Sequence, residues 1–165
     1  MCWSRPPEGI VSLGDLINAT WPIAFRRTRI VLTSGVFDLI TPGHVGMLQE
    51  AAQQGTHLIV AINSDYSVNK LKGEQRPIND QDVRAKTLIG IKGVYTVVIF
   101  GDTTADAVIR TAKPHLFARG GDKADPLFPE LPLLHELGIP VYKCEKYGTV
   151  STSSLIAQIR GEKID

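Results

Sequence analysis

The stretch from Ser34 to His44 holds the residues whose types and spacing best suit phosphate chemistry. A short apolar run ends at Ser34-Gly35, and Pro42-Gly43 opens a pattern with helical spacing. A strand, a tight glycine turn and a helix start gather backbone N–H groups and the positive end of the helix dipole around one point, which suits a phosphate. Thr41 and His44 lie three residues apart, so one helical turn can bring both side chains to the same phosphate. The alternative is a plain helix start, with Thr41 as the N-cap and His44 at the surface.

Three cations lie close together between positions 66 and 79, namely Lys70, Lys72 and Arg76. This polar segment contains a glycine and a proline and shows no periodicity, so it is predicted to be a loop. A mobile loop with three cations suits closure over a polyphosphate, and the alternative is a solvated charged face. Arg84, on the helical pattern that follows, is predicted to lie at the surface.

Two further stretches offer groups for a nucleotide. Arg119-Gly120-Gly121-Asp122 follows an apolar run, where the glycines permit close backbone approach and Asp122 can accept hydrogen bonds from ribose hydroxyls. A simple glycine-rich turn is the alternative. Ser151-Thr152-Ser153 begins the last helical pattern, and its hydroxyls form either a second phosphate cradle or a helix cap. Gly43 is expected to let the backbone come close to a ligand.

Apolar β-rich runs alternate with helical patterns, and this alternation predicts how these stretches are brought together. The runs at residues 30–33 and 58–62 are apolar on both faces, which is typical of a parallel sheet covered by helices on both sides. The chain therefore predicts an α/β fold, a Rossmann-like, doubly wound parallel sheet of five strands in a single domain. That domain is expected to span residues 30–165, after an N-terminal extension with a short helix over residues 1–29. Ligands of such sheets bind beyond the carboxyl ends of the strands.

Composition excludes several classes of protein. The 18 basic and 17 acidic side chains among 165 residues leave a net charge of +1, without the basic excess of a nucleic-acid binder. No apolar stretch approaches the roughly 18 residues that a membrane span needs. The first residues do not resemble a signal peptide, and Cys2 and Cys144 lie far apart, so a cytoplasmic setting is expected. His57, His115 and His135 are not spaced with other ligands for a metal, so no protein metal site is predicted.

These motifs together resemble those of the cytidylyltransferase-like nucleotidyltransferases. The signature of that family is a Gly-x-Phe-Asp turn followed by His-x-Gly-His, and the chain has Gly35-Val36-Phe37-Asp38 and Thr41-Pro42-Gly43-His44. Within this superfamily the sequence is most similar to the D-glycero-β-D-manno-heptose 1-phosphate adenylyltransferases, over roughly residues 28–160. It departs from the pattern at Thr41, which replaces the first histidine, and at Arg119, which replaces a more usual lysine.

The resemblance implies an activity and a role for each motif. A sugar or polyol phosphate would attack the α-phosphorus of ATP or CTP and release pyrophosphate, with Mg²⁺ entering on the triphosphate. His44, Thr41 and Lys72 would be the catalytic residues, and Lys70 and Arg76 would contact the substrate. The residues implied in nucleotide binding are Val36, Phe37, Thr41, His44, Arg119, Gly121, Asp122, Ser151, Thr152 and Ser153.

Two alternatives to the heptose 1-phosphate acceptor remain open from the sequence. Glycerol-3-phosphate cytidylyltransferases share most of the same frame. A non-catalytic nucleotide-binding protein is the other alternative, because Thr41 stands where the motif has a histidine. The resemblance also leads us to expect a homodimer, and the composition leads us to expect no nucleic-acid or membrane partner.

Overall fold

A computed structural model describes residues 8–18, 28–120, 128–145, 147 and 152–161 of the chain. In that part the chain alternates strands and helices through most of its length, as the sequence predicts. The elements, in chain order, are β1 Gly9–Ser12, α1 Leu13–Asn18, β2 Ile30–Gly35, α2 Pro42–Gln53, β3 His57–Asn63, α3 Asp65–Lys72, α4 Gln81–Ile89, β4 Val94–Phe100, α5 Asp106–Ala112, β5 Leu116–Arg119, α6 Leu131–Glu136, β6 Val141–Lys143 and α7 Thr152–Arg160.

The strands form one parallel sheet in the order β1-β4-β3-β2-β5-β6. The predicted α/β, doubly wound class is confirmed, but the count of five strands is wrong because the described residues form a sheet of six. The extra strand, β1, pairs with β4 at the edge, from Gly9 opposite Thr96 to Ser12 opposite Ile99. It carries one short apolar pair, Ile10 and Val11, and it has the half-exposed pattern of an edge strand rather than the apolar run by which central strands are found.

Helices cover both faces of the sheet because successive residues of each central strand point to opposite sides. In β2, Val31 packs with α2 and α4 residues on one face, whereas Leu32 packs with α1, α5 and α6 residues on the other. The predicted short helix before the first core strand is α1, whose Leu16 is fully buried in the second of these cores. No helix in the described residues is long and apolar enough to cross a membrane.

The predicted loop at residues 66–79 is wrong in its first half, which forms α3. Ser64 caps this helix by accepting a hydrogen bond at Oγ from the Ser67 N–H (3.2 Å), and Val68 is buried. Lys70 and Lys72 occupy its last turn, where cations are favoured by the helix dipole. Polar composition alone therefore concealed a capped helix.

The order of the sheet fixes where a ligand can bind. After β2 the chain continues through α2 to β3 on one side of β2, and it later returns to place β5 on the other side. This reversal is a topological switch point, and the crevice beyond the carboxyl end of β2 is the usual ligand site of such sheets.

Candidate active site

The turn after β2 exposes backbone donors at the switch point. Phe37 has a φ of 49°, in the left-handed region, and its ring is buried. A Cβ on Gly35 would lie 2.9 Å from Phe37 Cε2, so only glycine fits beside this ring. Among the described residues, no hydrogen-bond partner meets the N–H groups of Val36 and Phe37. These two N–H groups can therefore serve as donors for an anion.

Thr41 and His44 form a reciprocal cap at the start of α2. The Thr41 N–H donates to His44 Nδ1 at 3.1 Å, and Thr41 Oγ1 accepts from the His44 N–H at 3.4 Å. Since Nδ1 accepts, the neutral imidazole carries its proton on Nε2. The His44 ring packs edge-on against Phe37, with centroids 5.4 Å apart, and is partly buried rather than at the surface.

The capping role of Thr41 is confirmed, and its role toward phosphate stays a prediction. Only 4% of Thr41 is exposed. Its hydroxyl oxygen lies 3.2 Å from His44 Nδ1 and also accepts the hydrogen bond from the His44 N–H. The threonine therefore shapes the helix start and fixes the histidine ring. It leaves His44 as the side chain of this pair with more access to a ligand.

Asp38 anchors the segment that follows α3. Its Oδ1 accepts from the N–H groups of Ile78 and Asn79, both at 2.9 Å, and its Oδ2 accepts from Arg76 Nε at 2.8 Å. The Asn79 amide in turn donates to the Asp38 carbonyl at 3.1 Å. Arg76 is predicted to contact the substrate, but its Nε donates to Asp38 and its side chain is only 15% exposed.

Arg84 is buried rather than at the surface, which corrects the prediction. Its Nη1 donates to the Val36 carbonyl (2.8 Å), its Nε to the Asn79 carbonyl (3.0 Å) and its Nη2 to Asp65 Oδ1 (2.8 Å), and only 1% of the residue is exposed. A planar guanidinium suits such a three-way link. The helical phase offered the missed signal, because Arg84 lies on the same face of α4 as the buried Ala85 and Leu88.

The end of α3 places two predicted lysines beside this framework. Asn69 Nδ2 donates to the Arg76 carbonyl at 2.6 Å, which ties the last turn of α3 to the segment held by Asp38. Lys70 and Lys72 are both exposed, and Lys70 Nζ lies 4.4 Å from the centre of the Tyr66 ring. The lysines therefore project from a fixed helix end rather than from a mobile loop.

The end of β5 carries Arg119, the first residue of the predicted glycine-rich stretch. Its guanidinium carbon lies 4.4 Å from the centre of the Phe128 ring, which stacks on Phe117 at 5.8 Å. This packing holds the Arg119 guanidinium over the Phe128 ring, and Arg119 itself ends β5 at the carboxyl edge of the sheet. Gly121 and Asp122 lie outside the described residues.

The last helix begins against the turn after β2. Thr152, the first residue of α7, donates its hydroxyl proton to the Leu39 carbonyl at 2.9 Å. The starts of α2 and α7 therefore meet at one loop, which concentrates two helix dipoles there. Ser151 lies outside the described residues, as does the side chain of Ser153, so the predicted phosphate roles of this motif remain predictions.

Tyr147 explains two glycines of α2. A Cβ on Gly43 would lie 2.5 Å from the Tyr147 carbonyl oxygen, and one on Gly46 would lie 2.4 Å from Tyr147 Cγ. The missing side chain of Gly43 therefore makes room for the backbone of Tyr147 rather than for a ligand. Glu50 supports the same segment, because it accepts from the Tyr142 hydroxyl and from the Glu145 N–H, each at 2.8 Å.

The packing around Glu50 raises the pKa values of neighbouring groups, Cys144, Tyr142 and Tyr147. Burial, reinforced by the Glu50 charge, raises the pKa of the Cys144 thiol to about 11. The hydrogen bond to Glu50 raises the pKa of the Tyr142 hydroxyl. Cys144 is therefore a protonated, buried core residue at neutral pH and not a nucleophile.

No group of three or more His, Cys, Asp or Glu side chains that could hold a metal occurs in the described part of the chain.

The fold and the helix starts at its switch point define a Rossmann-like nucleotide-binding architecture. Residues 32–157 match the cytidylyltransferase-like family, and the chain belongs to this family of nucleotidyltransferases. The resemblance predicted from the motifs is thereby confirmed.

Three known proteins illustrate the relationship. The bifunctional protein HldE of Azorhizobium caulinodans is 35% identical over 157 residues, which are 94% of this chain and 32% of that protein. Its namesake from Actinobacillus pleuropneumoniae serotype 5b is 43% identical over 114 residues, 69% of this chain and 24% of that protein. The chain thus spans at most 32% of the length of these relatives. The solved lipopolysaccharide core biosynthesis protein from Thermoplasma volcanium GSS1 is 25% identical, with a TM-score of 0.59, and the match covers 74% of this chain and 99% of that one.

Proposed function

We propose that the chain transfers the nucleoside monophosphate of ATP, or of CTP, to a sugar phosphate and releases pyrophosphate, with heptose 1-phosphate as the expected acceptor. The observation that carries this proposal is the meeting of three donor sets at the end of β2. They are the N–H groups of Val36 and Phe37, the capped start of α2 with His44, and the start of α7 at Leu39. Such a meeting of backbone N–H groups and helix dipoles suits a polyphosphate.

The reaction requires no covalent intermediate. An oxygen of the acceptor phosphate attacks the α-phosphorus, the bond from that phosphorus to the bridging oxygen of the β-phosphate breaks, and pyrophosphate leaves with the electron pair. The nucleophile is already an anion, so the chain need not supply a general base. Catalysis then rests on positioning the two phosphates and on stabilising charge as it develops on the leaving group.

His44 is suited to the second task. Its Nδ1 is held by the Thr41 N–H, so Nε2 carries the proton and can donate it in a hydrogen bond to a phosphate oxygen. Contact with the Phe37 ring fixes the imidazole plane. A donor fixed before the substrate arrives needs no reorganisation as charge develops. Lys72, and Lys70 beside it, would add positive charge toward the phosphates from the end of α3.

Mg²⁺ would neutralise part of the triphosphate charge when it enters with the nucleotide.

Similarity to the lipopolysaccharide core biosynthesis protein and to the HldE proteins supports an acceptor from sugar metabolism. A homodimer, which is expected from the family resemblance, and a cytoplasmic location, which is expected from the cysteine usage, complete the proposal.

A panel of pyrophosphate-release assays tests the proposal. ATP and CTP are each paired with heptose 1-phosphate and with glycerol 3-phosphate, in the presence of Mg²⁺. Turnover with ATP and heptose 1-phosphate is expected. Turnover only with CTP and glycerol 3-phosphate would assign the chain to the other acceptor class. Nucleotide binding by calorimetry without release in any pair would contradict catalysis altogether.

A further inference from the structure

Glu130 is a buried carboxylate beside the proposed site that the reaction outlined above does not use. It precedes α6, and only 9% of the residue is exposed. Its Oε1 accepts from the hydroxyl of Ser34, the residue before the Gly35 turn, and from the N–H of Ala105, which precedes α5. Glu130 therefore borders the crevice at the carboxyl end of β2.

The hydrogen bonds of Glu130 within the described residues are few and long. The two bonds to Oε1 measure 3.3 and 3.4 Å, whereas charge-assisted bonds are typically about 2.7–2.9 Å. Within the described residues, no donor reaches Oε2. Among the described residues, Asp106 Oδ1 is the only buried side-chain oxygen or nitrogen without a hydrogen-bond partner, so Oε2 of Glu130 keeps contact with solvent. A donor group of a substrate can take the place of water at this oxygen.

The charge of Glu130 determines which substrate group it can meet. A carboxylate accepts hydrogen bonds and repels an anion, so it cannot bind the phosphate groups of either substrate. Hydroxyl groups are the donors that nucleotides and sugar phosphates both carry. The phosphate donors lie instead in the turn after β2 and at the starts of α2 and α7.

We propose that Glu130 binds hydroxyl groups of a sugar ring, and so selects polyhydroxylated substrates at this site. This inference rests on the proposed function only for the identity of the ring, which is the acceptor sugar or the ribose of the nucleotide. It makes Glu130 a substrate-binding residue, and Ser34 a positioning residue that fixes Oε1.

The test measures equilibrium binding by calorimetry and does not depend on turnover. ATP, 2′-deoxy-ATP, 3′-deoxy-ATP and heptose 1-phosphate are titrated into the wild type and Glu130→Gln. Loss of a charged hydrogen bond should weaken binding of the matching ligand by about tenfold or more. Glu130→Asp retracts the carboxylate by one methylene and should act in the same direction if Glu130→Gln does not fold. Glu136→Gln is the matched control, because Glu136 is an exposed acid at the end of α6, paired with Arg110.

The titrations with different ligands distinguish the acceptor sugar from the ribose of the nucleotide. Weaker binding of heptose 1-phosphate, with ATP unchanged, assigns Glu130 to the acceptor. Weaker binding of ATP, with a smaller loss for one deoxy analogue, assigns it to the ribose. Unchanged binding of every ligand overturns the inference, and so does an equal loss for ATP, both deoxy analogues and the sugar phosphate. A wild type that binds these ligands but releases no pyrophosphate contradicts the proposed function and leaves the Glu130 result to be judged separately.

Discussion

Two buried carboxylates flank the end of β2, and the fold treats them differently. Asp38 is 3% exposed, and both of its oxygens accept short bonds of 2.8 to 3.0 Å from Arg76, Ile78 and Asn79. Glu130 is 9% exposed, yet only one of its oxygens is bonded, at 3.3 and 3.4 Å. Burial alone therefore does not distinguish a structural acid from a binding acid, whereas the saturation of its acceptor sites does.

This difference divides the site into a framework side and a recognition side. On the Asp38 side, Arg84 also binds the Val36 carbonyl, so the turn that offers N–H groups to phosphate is held from behind. A preorganised turn is what charge stabilisation requires. On the Glu130 side, the unfilled acceptor sites leave room for substrate hydroxyls to complete the hydrogen bonding.

The largest expected effect removes the framework acid. Asp38→Ala strands the Arg76 guanidinium and two backbone N–H groups, so the free energy of unfolding should fall by about 3–5 kcal/mol, the usual cost of breaking a buried pair. Glu130→Gln keeps the volume and should cost about 1 kcal/mol or less, since its bonds are long. Urea denaturation of both variants measures the contrast. Equal losses would abolish the distinction between the two acids.

Next in size is the effect of His44→Ala on the rate. Removal of one preorganised donor typically costs about 2.7–4 kcal/mol of barrier, so kcat for pyrophosphate release should fall about 100-fold or more. The fold should persist, because the loss of one half of a capping box costs only about 1 kcal/mol. His135→Gln, at an exposed position on α6, is the control and should keep wild-type kcat. A nearly fully active His44→Ala would remove this residue from the mechanism.

The sequence predicted the central strands and the main motif, and it failed where packing overrides local composition. Strands β2 and β3 carry apolar runs that end in turn residues, so local pattern suffices to find them. Strand β1 is recognisable only through its pairing with β4. Arg84 was misplaced because charge usually indicates exposure, and two of its three acceptors, on Val36 and Asp65, come from segments distant in sequence. The hydrogen bonds of Glu130 likewise depend on residues 25 and 96 positions away.

Thr41 permits a smaller test of the framework side. Thr41→Ala removes the N-cap hydroxyl, so stability should fall by about 1 kcal/mol. If the hydroxyl also serves the phosphate, the rate should fall roughly tenfold, which corresponds to about 1.4 kcal/mol of barrier. Thr41→Ser keeps the hydroxyl and should retain both properties. Unfolding and pyrophosphate release are measured on the same preparations, and a stability loss with an unchanged rate would show that Thr41 acts only as a cap.

The smallest expected effect concerns Lys72. Its substitution tests whether affinity for phosphate depends on the framework side and affinity for hydroxyl groups on the recognition side. Lys72 is exposed at the end of α3, so a contact with a phosphate is screened by water and salt, and Lys72→Ala should raise KM for the triphosphate by only about two- to fivefold. Lys70→Ala should act more weakly, because the Lys70 ammonium lies over the Tyr66 ring. Lys92→Ala is the control, since Lys92 immediately precedes β4 and so lies near the amino ends of the strands, away from the carboxyl ends where the site lies. The Lys72 effect should shrink in high salt while the Glu130→Gln effect persists, because a buried carboxylate is screened far less than an exposed ammonium. A KM for the triphosphate that is unchanged at low salt would exclude Lys72 from the site, and equal salt sensitivity of the two variants would contradict the division between the two sides.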